Sequence, residues 1–159
     1  MSEWICWTDG STYRTNPSNA GGWAFRLVRR PSPGVQDLIW ERSGSVKGIN
    51  ITNNQMEMTA ALEAMRFFST LSYPGSLEIR SDSSYLVNAF RQNWFISWRR
   101  NGWRNSAGKP VVNRDIWESL YDLHQLLKPT WIHVKGHAGV EENEAVDRLA
   151  KAAAQLCYP

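Results

Sequence analysis

Trp4-Ile5-Cys6-Trp7-Thr8-Asp9 is an apolar run that turns polar only at its end, and it predicts a strand over residues 3–9 stopping at Gly10. Gly21-Gly22 reads as the approach to a second strand, roughly Trp23 to Arg30. The turn signal Pro31-Ser32-Pro33-Gly34 leads into a third strand over residues 37–48, so these three segments predict an antiparallel meander. A helix follows. Thr52 with Gln55 three residues later fits a capping box, and Ala60, Ala61, Ala64, Met65 and Phe68 keep helical spacing until Pro74-Gly75.

Leu77 to Asp82 is a short apolar strand, and Ser83-Ser84 opens a second helix. A tryptophan- and arginine-rich segment comes next, broken by Gly102 and by Gly108-Lys109-Pro110. Ile116, Leu120, Leu123 and Leu127 mark a helix from Asp115 to Leu127 closed by Pro129. Trp131 to Lys135 is a fifth strand, Gly136 to Gly139 a loop, and Glu141 to Leu156 a final helix. The order βββαβαααβα joins some strands by hairpins and others through helices. That combination predicts an α/β fold with a mixed sheet covered by helices. With no internal repeat or linker-like tract, residues 1–159 read as one domain.

Charge changes this picture locally. The chain carries 18 Lys and Arg against 15 Asp and Glu, a net charge of only +3. Six of those cations lie between Arg91 and Arg114, a stretch without a single acid, so the rest of the chain is mildly acidic. The same stretch holds Trp94, Trp98 and Trp103. Cations neutralise phosphates and aromatic faces press on sugars or bases, so the segment reads either as a nucleic-acid surface or as a solvated helix face over a small aromatic core. No apolar run reaches the roughly 20 residues that span a bilayer. Cys6 and Cys157 sit at opposite ends of the chain, make no metal-type pair, and read as reduced thiols of a cytoplasmic protein.

Four acids occupy positions where apolar residues or solvent would be expected. Asp9 ends the most apolar strand, Glu57 shares the helix face of Ala60, Ala61, Ala64 and Phe68, Asp82 closes a strand, and Asp147 borders the stripe of Val146, Leu149, Ala150 and Ala153. Each has a plain alternative: a turn residue at Asp9, a capping box from Asn54 to Glu57, a helix cap at Asp82, a surface ion pair at Asp147. Together they suggest carboxylates gathered where strand ends meet helix starts. Such a cluster needs protons or metal ions to compensate its charge, and an all-oxygen set suits Mg²⁺ or Mn²⁺ rather than zinc. His137, between Gly136 and Gly139, could carry protons beside those charges. His124 and His133 fall within a helix and a strand and read as structural. Ser11, Ser83 and Ser84 lack the partners of a nucleophilic triad.

In order and spacing, Thr8-Asp9-Gly10-Ser11, Thr52-Asn53-Asn54-Gln55-Met56-Glu57, Ser81-Asp82-Ser83 and Val134-Lys135-Gly136-His137-Ala138-Gly139, followed by Glu142-Asn143-Glu144 and Asp147, resemble type 1 ribonuclease H. The segment from Trp94 to Trp103, continuing through Lys109-Pro110-Val111 to Trp117, resembles the basic protrusion of its bacterial and eukaryotic members. The resemblance implies a ribonuclease H-like sheet of three antiparallel and then parallel strands, with the protrusion at about residues 91–114. It implies an endonuclease that hydrolyses the RNA strand of RNA/DNA hybrids by a two-metal-ion mechanism, leaving 5′-phosphate and 3′-hydroxyl ends. The implied catalytic set is Asp9, Glu57, Asp82, His137 and Asp147, the four acids holding two Mg²⁺ ions for which Mn²⁺ can substitute. Asn16, Thr52, Asn53, Asn54 and Ser84 are implied substrate contacts, some of them to the 2′-hydroxyl that marks the RNA strand. Trp94, Arg99, Arg100, Trp103, Arg104 and Lys109 are implied to hold the DNA strand. The implied partner is the hybrid duplex, with a monomeric protein, no membrane and no obligate protein partner. Gln55 stands where many members have Arg, and Ser84 where Gln is frequent. A junction-cutting nuclease of the wider superfamily shares scattered acids without these combined motifs, and a hybrid-binding module that had lost catalysis would lack a carboxylate.

Overall fold

The computed structural model describes residues 2–34, 36–72, 75–136 and 140–158. Its elements are β1 (Trp4–Thr12), β2 (Ser18–Arg29), β3 (Ile39–Ile51), α1 (Asn53–Ser69), β4 (Leu77–Ser81), α2 (Ser84–Arg91), α3 (Trp94–Asn101), α4 (Arg114–Leu127), β5 (Thr130–His133) and α5 (Glu141–Leu156). They follow the predicted order. The strands form one five-stranded sheet, β3-β2-β1-β4-β5. The β1–β2 and β2–β3 pairs are antiparallel, and the β1–β4 and β4–β5 pairs are parallel, which is the expected mixed sheet. Its central strand explains the apolar run: residues 4–9 are buried throughout, as a strand covered on both faces requires.

Some boundaries differ from the prediction. β1 continues through Gly10 to Thr12, and β2 begins at Ser18, so Gly21 and Gly22 lie inside a strand rather than before one. These glycines mark close approach, not chain reversal. A methyl group on Gly21 would come within 2.5 Å of the Met56 sulfur, and one on Gly22 would overlap the carbonyl oxygen of Ala150. β3 spans Ile39–Ile51 rather than 37–48, and β5 ends at His133, two residues short of Lys135.

The faces of the sheet are covered unequally. Helices α1 to α4 bury one face, where Trp4, Cys6, Phe25 and Leu27 meet Met58, Met65, Phe68, Leu86, Trp117 and Leu120. Trp4 and Trp117 have no exposed surface, and truncating an aromatic side chain so buried costs about 3–5 kcal/mol. Among the described elements α5 alone covers the other face, setting Val146 and Ala150 against Ile5, Trp7 and Ala24. At the α4–β5 junction Phe90 stacks on Trp131 at 4.2 Å, and Trp131 Nε1 donates to His124 Nδ1 at 3.0 Å. Burial lowers the His124 pKa, so this histidine serves as a neutral acceptor in the packing, as its position in the sequence suggested.

The protrusion is an aromatic wedge with a charged exterior. Phe95 and Trp98 are buried, while Trp94 and Trp103 pack against them at 5–7 Å between ring centroids. Asn105 Oδ1 accepts from the backbone of Ala107 and Lys109, closing a turn whose Gly108 has φ 76°. Among the described residues no helix is long and apolar enough to cross a membrane.

Candidate metal and nucleic-acid site

Three separated stretches of sequence converge at one end of β1. Thr8 pairs with Ser81 in the parallel β1–β4 ladder, so Asp9 and Asp82, each one residue further on, stand side by side. Glu57 reaches the same place because β1 and α1 touch through their backbones. A methyl group on Gly10 would overlap the Met56 carbonyl carbon and the Glu57 nitrogen, so only glycine lets the helix come this close. Thr52 starts that helix, its Oγ1 accepting from Gln55 N at 3.1 Å, which is the predicted cap. The result is a group of carboxylate oxygens from Asp9, Glu57 and Asp82 all lying within 4.8 Å of one another.

The plain alternatives fail for these three acids. Asp9 lies within β1 and is 4% exposed, with Oδ1 accepting from Gly10 N at 2.9 Å. The cap of α2 is Ser83, whose Oγ accepts from Leu86 N at 3.2 Å, so Asp82 is not the capping residue. Glu57 is 8% exposed one turn into α1, and Thr52, not Asn54, caps that helix. Asp147 differs: it pairs with Lys151 Nζ at 3.1 Å, the expected surface ion pair, and stands outside the 4.8 Å group. Its charge still reaches Asp9. His137 lies outside the described residues.

Electrostatics agree with the geometry. Burial pushes the Asp9 carboxyl up to about 7, with the charges of Asp82 and Asp147 adding to it and hydrogen bonds from Glu57 and Gly10 opposing it. Glu57 is held well above the ordinary carboxylate range, first by burial and then by the charge of Asp9. Its Oε2 is buried and finds no hydrogen-bond partner among the described residues. Crowded, partly protonated carboxylates with an orphaned oxygen are the donor set a hard divalent cation satisfies. The site can therefore hold a metal ion.

Stability should register this strain. A carboxyl whose pKa is raised on folding contributes stability that is complete below its unfolded value, near 3.8, and lost as pH rises through its folded value, about 7 for Asp9. In chelator, the metal-free protein is expected to fall behind its Asp9→Asn variant by roughly 2–4 kcal/mol between pH 4 and pH 8. Urea denaturation across that range measures the gap. A gap that stays constant with pH contradicts the raised carboxyl.

The residues expected to contact substrate fall into two groups, one at the start of α1 and α2 with the β1–β2 connection and one in the protrusion. Asn16 Oδ1 accepts from Asn53 N at 3.0 Å, and Asn53 Oδ1 accepts from the backbone and hydroxyl of Thr12, both at 3.0 Å. These bonds lock the two asparagines together and occupy their oxygens, leaving exposed amide donors. Asn54 and Ser84 are exposed at the first turns of α1 and α2. In the protrusion, Trp94 and Arg104 line a cavity of about 420 Å³ with Tyr85, Trp98 and Ser106. Trp103 instead lies beneath the Arg114 guanidinium, 5.1 Å from its ring centroid. Arg99 is tied to Tyr121, with Nη1 donating to its hydroxyl at 3.1 Å, and Arg100 and Lys109 are exposed. His133 has a role that its place in a strand did not reveal. Its Nε2 lies 3.1 Å from the backbone oxygen of Asp82 and braces the turn carrying that acid.

The RNase H family profile matches residues 1–155. The chain is 43% identical over 155 residues to the ribonuclease H of Symbiobacterium thermophilum, covering 96% of this chain and 95% of that protein. It is 40% identical over 153 residues to the ribonuclease H of Moorella thermoacetica, with 96% and 92% covered. Among solved structures, LC9-RNase H1, a type 1 RNase H with the type 2 active-site motif, superposes with a TM-score of 0.80 at 25% identity, covering 96% of this chain and 72% of that one. LC11-RNase H1, solved in complex with an RNA/DNA hybrid, shares the fold at a TM-score of 0.66 and 20% identity, with 96% and 97% covered. A sheet of this topology, its acidic cluster and a match over nearly every residue lead to one assignment: the chain belongs to the ribonuclease H family.

Proposed function

We propose that the protein is a metal-dependent endonuclease that hydrolyses the RNA strand of RNA/DNA hybrids, leaving 5′-phosphate and 3′-hydroxyl ends. The observation that carries this reading is the convergence of Asp9, Glu57 and Asp82 within 4.8 Å in a chain of this family. Asp9, Glu57 and Asp82 would hold the cations, with Asp147 completing the set from α5. Two divalent ions held there, Mg²⁺ or Mn²⁺, would supply Lewis-acid stabilisation of the phosphate and would lower the pKa of a bound water. Burial of Asp9 and Glu57 keeps bulk water from these carboxylates and strengthens their hold on a cation. His137, next to the site in sequence through Lys135-Gly136, is assigned proton transfer or product release.

The chain's own residues also account for strand choice. Asn16 and Asn53 present amide donors with their oxygens already engaged, which suits the 2′-hydroxyls and base edges of a shallow minor groove. Thr52 acts through α1, whose start it caps, and Asn54 and Ser84 stand beside that groove-reading edge. Trp94 and Arg104, lining the protrusion cavity, would take the sugar and phosphate of the DNA strand, while Arg99, Arg100, Trp103 and Lys109 give the protrusion its field and shape. The protein is read as a single catalytic domain, monomeric and cytoplasmic, consistent with two free cysteines in a reducing compartment.

The test offers labelled RNA/DNA hybrid, double-stranded RNA and double-stranded DNA with Mg²⁺, Mn²⁺ or chelator. Cleavage is expected only in the RNA strand of the hybrid and only with metal. Cutting of duplex DNA, or cutting that survives chelation, overturns the proposal.

A further inference from the structure

Beyond Asp9 and Gly10, β1 runs on through Ser11 and Thr12 into Tyr13 and Arg14. Between this stretch and α5 opens a cavity of about 480 Å³, lined by Ser11, Thr12, Tyr13, Arg14, Arg148 and Lys151. Three cations and several hydroxyls line it, and among the described residues no acid does, although Lys151 pairs with Asp147 at 3.1 Å. Chain connectivity ties both walls of the cavity to acids of the set. Ser11 follows Asp9 by two residues on β1, and Arg148 follows Asp147 directly on α5.

Arg14 is held in place without being neutralised. It sits at φ 65°, with its guanidinium 5.1 Å from the Tyr13 ring and 5.6 Å from the Tyr158 ring, two rings 4.5 Å apart. Among the described residues no salt bridge engages Arg14 or Arg148. One arginine fixed over aromatic faces, and a second without a carboxylate partner on the facing helix, form a site for phosphate oxygens. A chain of phosphodiesters fits this open cavity better than a single small anion, because the cations are spread over two elements rather than focused on one point.

Location selects the strand. The protrusion belongs to the sheet face covered by α1 to α4, whereas this cavity is walled by α5 on the other face, and Asp9 stands on β1, the central strand that both faces share. A duplex has two backbones, and a cleft flanked by two cationic anchors can hold one on each side. We propose that Arg14, Arg148 and Lys151 grip phosphates of the RNA strand to one side of the scissile bond, opposite the protrusion's hold on the DNA strand. This inference rests on the reading of the protein as a hybrid-cleaving nuclease.

The test uses an Arg14→Ala/Arg148→Ala double variant, leaving Lys151 in place because it pairs with Asp147. KM for hybrid is expected to rise roughly tenfold with kcat within about twofold of wild type, and the log–log salt slope of binding to fall by about 2. Tyr158→Ala, which removes one of the two rings flanking Arg14, should give part of the same KM change. Hybrids with neutral methylphosphonate linkages then identify the strand. Neutral linkages in the RNA strand should weaken the wild type more than the double variant, which keeps only Lys151, while those in the DNA strand should weaken both equally. An unchanged salt slope and KM overturn the assignment, as does a double variant indifferent to the DNA-strand linkages instead. Wild-type protein that cuts no hybrid overturns the functional reading itself, whereas normal cutting by both proteins overturns only this anchor.

Discussion

Asp9→Asn is expected to yield a folded protein that binds RNA/DNA hybrid and no longer cuts it. Asp9 is buried on the central strand, flanked by Glu57 and Asp82 and felt by Asp147. Replacing its carboxylate with an amide removes the shared negative ligand while preserving shape. Cation-borne stabilisation of a phosphoryl transition state is worth several kcal/mol, so turnover should drop by roughly 10³-fold or more. Binding should survive, because the asparagines and the cationic surfaces are untouched. Stability should rise in chelator at neutral pH, since the variant no longer buries a carboxyl whose ionisation is opposed. Single-turnover cleavage, hybrid affinity and urea denaturation measured on one preparation separate these outcomes. Cleavage within tenfold of wild type would remove Asp9 from the metal site.

Gly10→Ala, one residue away, is expected to act through the fold. The added methyl would occupy space held by the backbone of Met56 and Glu57, where no side-chain rotation can make room. Either β1 or α1 must move, and both are clamped, β1 between two neighbours in the sheet and α1 by Met56, Met58, Ala61 and Met65 in the core. The loss should exceed about 4 kcal/mol, a range reached only when packing has no escape. Gly48→Ala is the control, because a methyl there meets only the end of the Ile51 side chain, at 3.4 Å. Urea midpoints should separate the two variants widely. Equal midpoints would mean that the close approach of strand and helix is not needed.

The same glycines show where the sequence could be read and where it could not. Alternation and spacing reveal each strand and helix because burial enforces them residue by residue. A glycine carries two opposite messages, a turn or a close contact, and local pattern does not distinguish them. Gly10 therefore looked like the end of β1, and Gly21-Gly22 like a prelude to β2, although all three lie inside strands against a neighbouring helix or side chain. The acids were legible for a related reason. A carboxylate in an apolar frame is anomalous wherever it falls, so Asp9, Glu57 and Asp82 announced themselves before their meeting was known. Asp147, on a half-polar helix, was less distinct, and its ion pair with Lys151 shows why. Arg14, Arg148 and Lys151 gave no signal, being ordinary surface cations until β1 and α5 are placed side by side. His133 likewise acts on Asp82 across 51 positions of chain, beyond any local pattern.

The bare backbone at Gly22 has a further effect. A methyl group there would collide with the Ala150 oxygen and lie 2.4 Å from the Ala154 nitrogen and 2.9 Å from the Ala153 Cβ, so α5 rests on β2 with almost nothing between them. Asp147 is carried on that helix, three residues before Ala150. The thickness of a single missing side chain thus limits how deeply the helix that carries Asp147 settles onto the sheet, so a bare position on β2 helps to fix the height of an acid on α5.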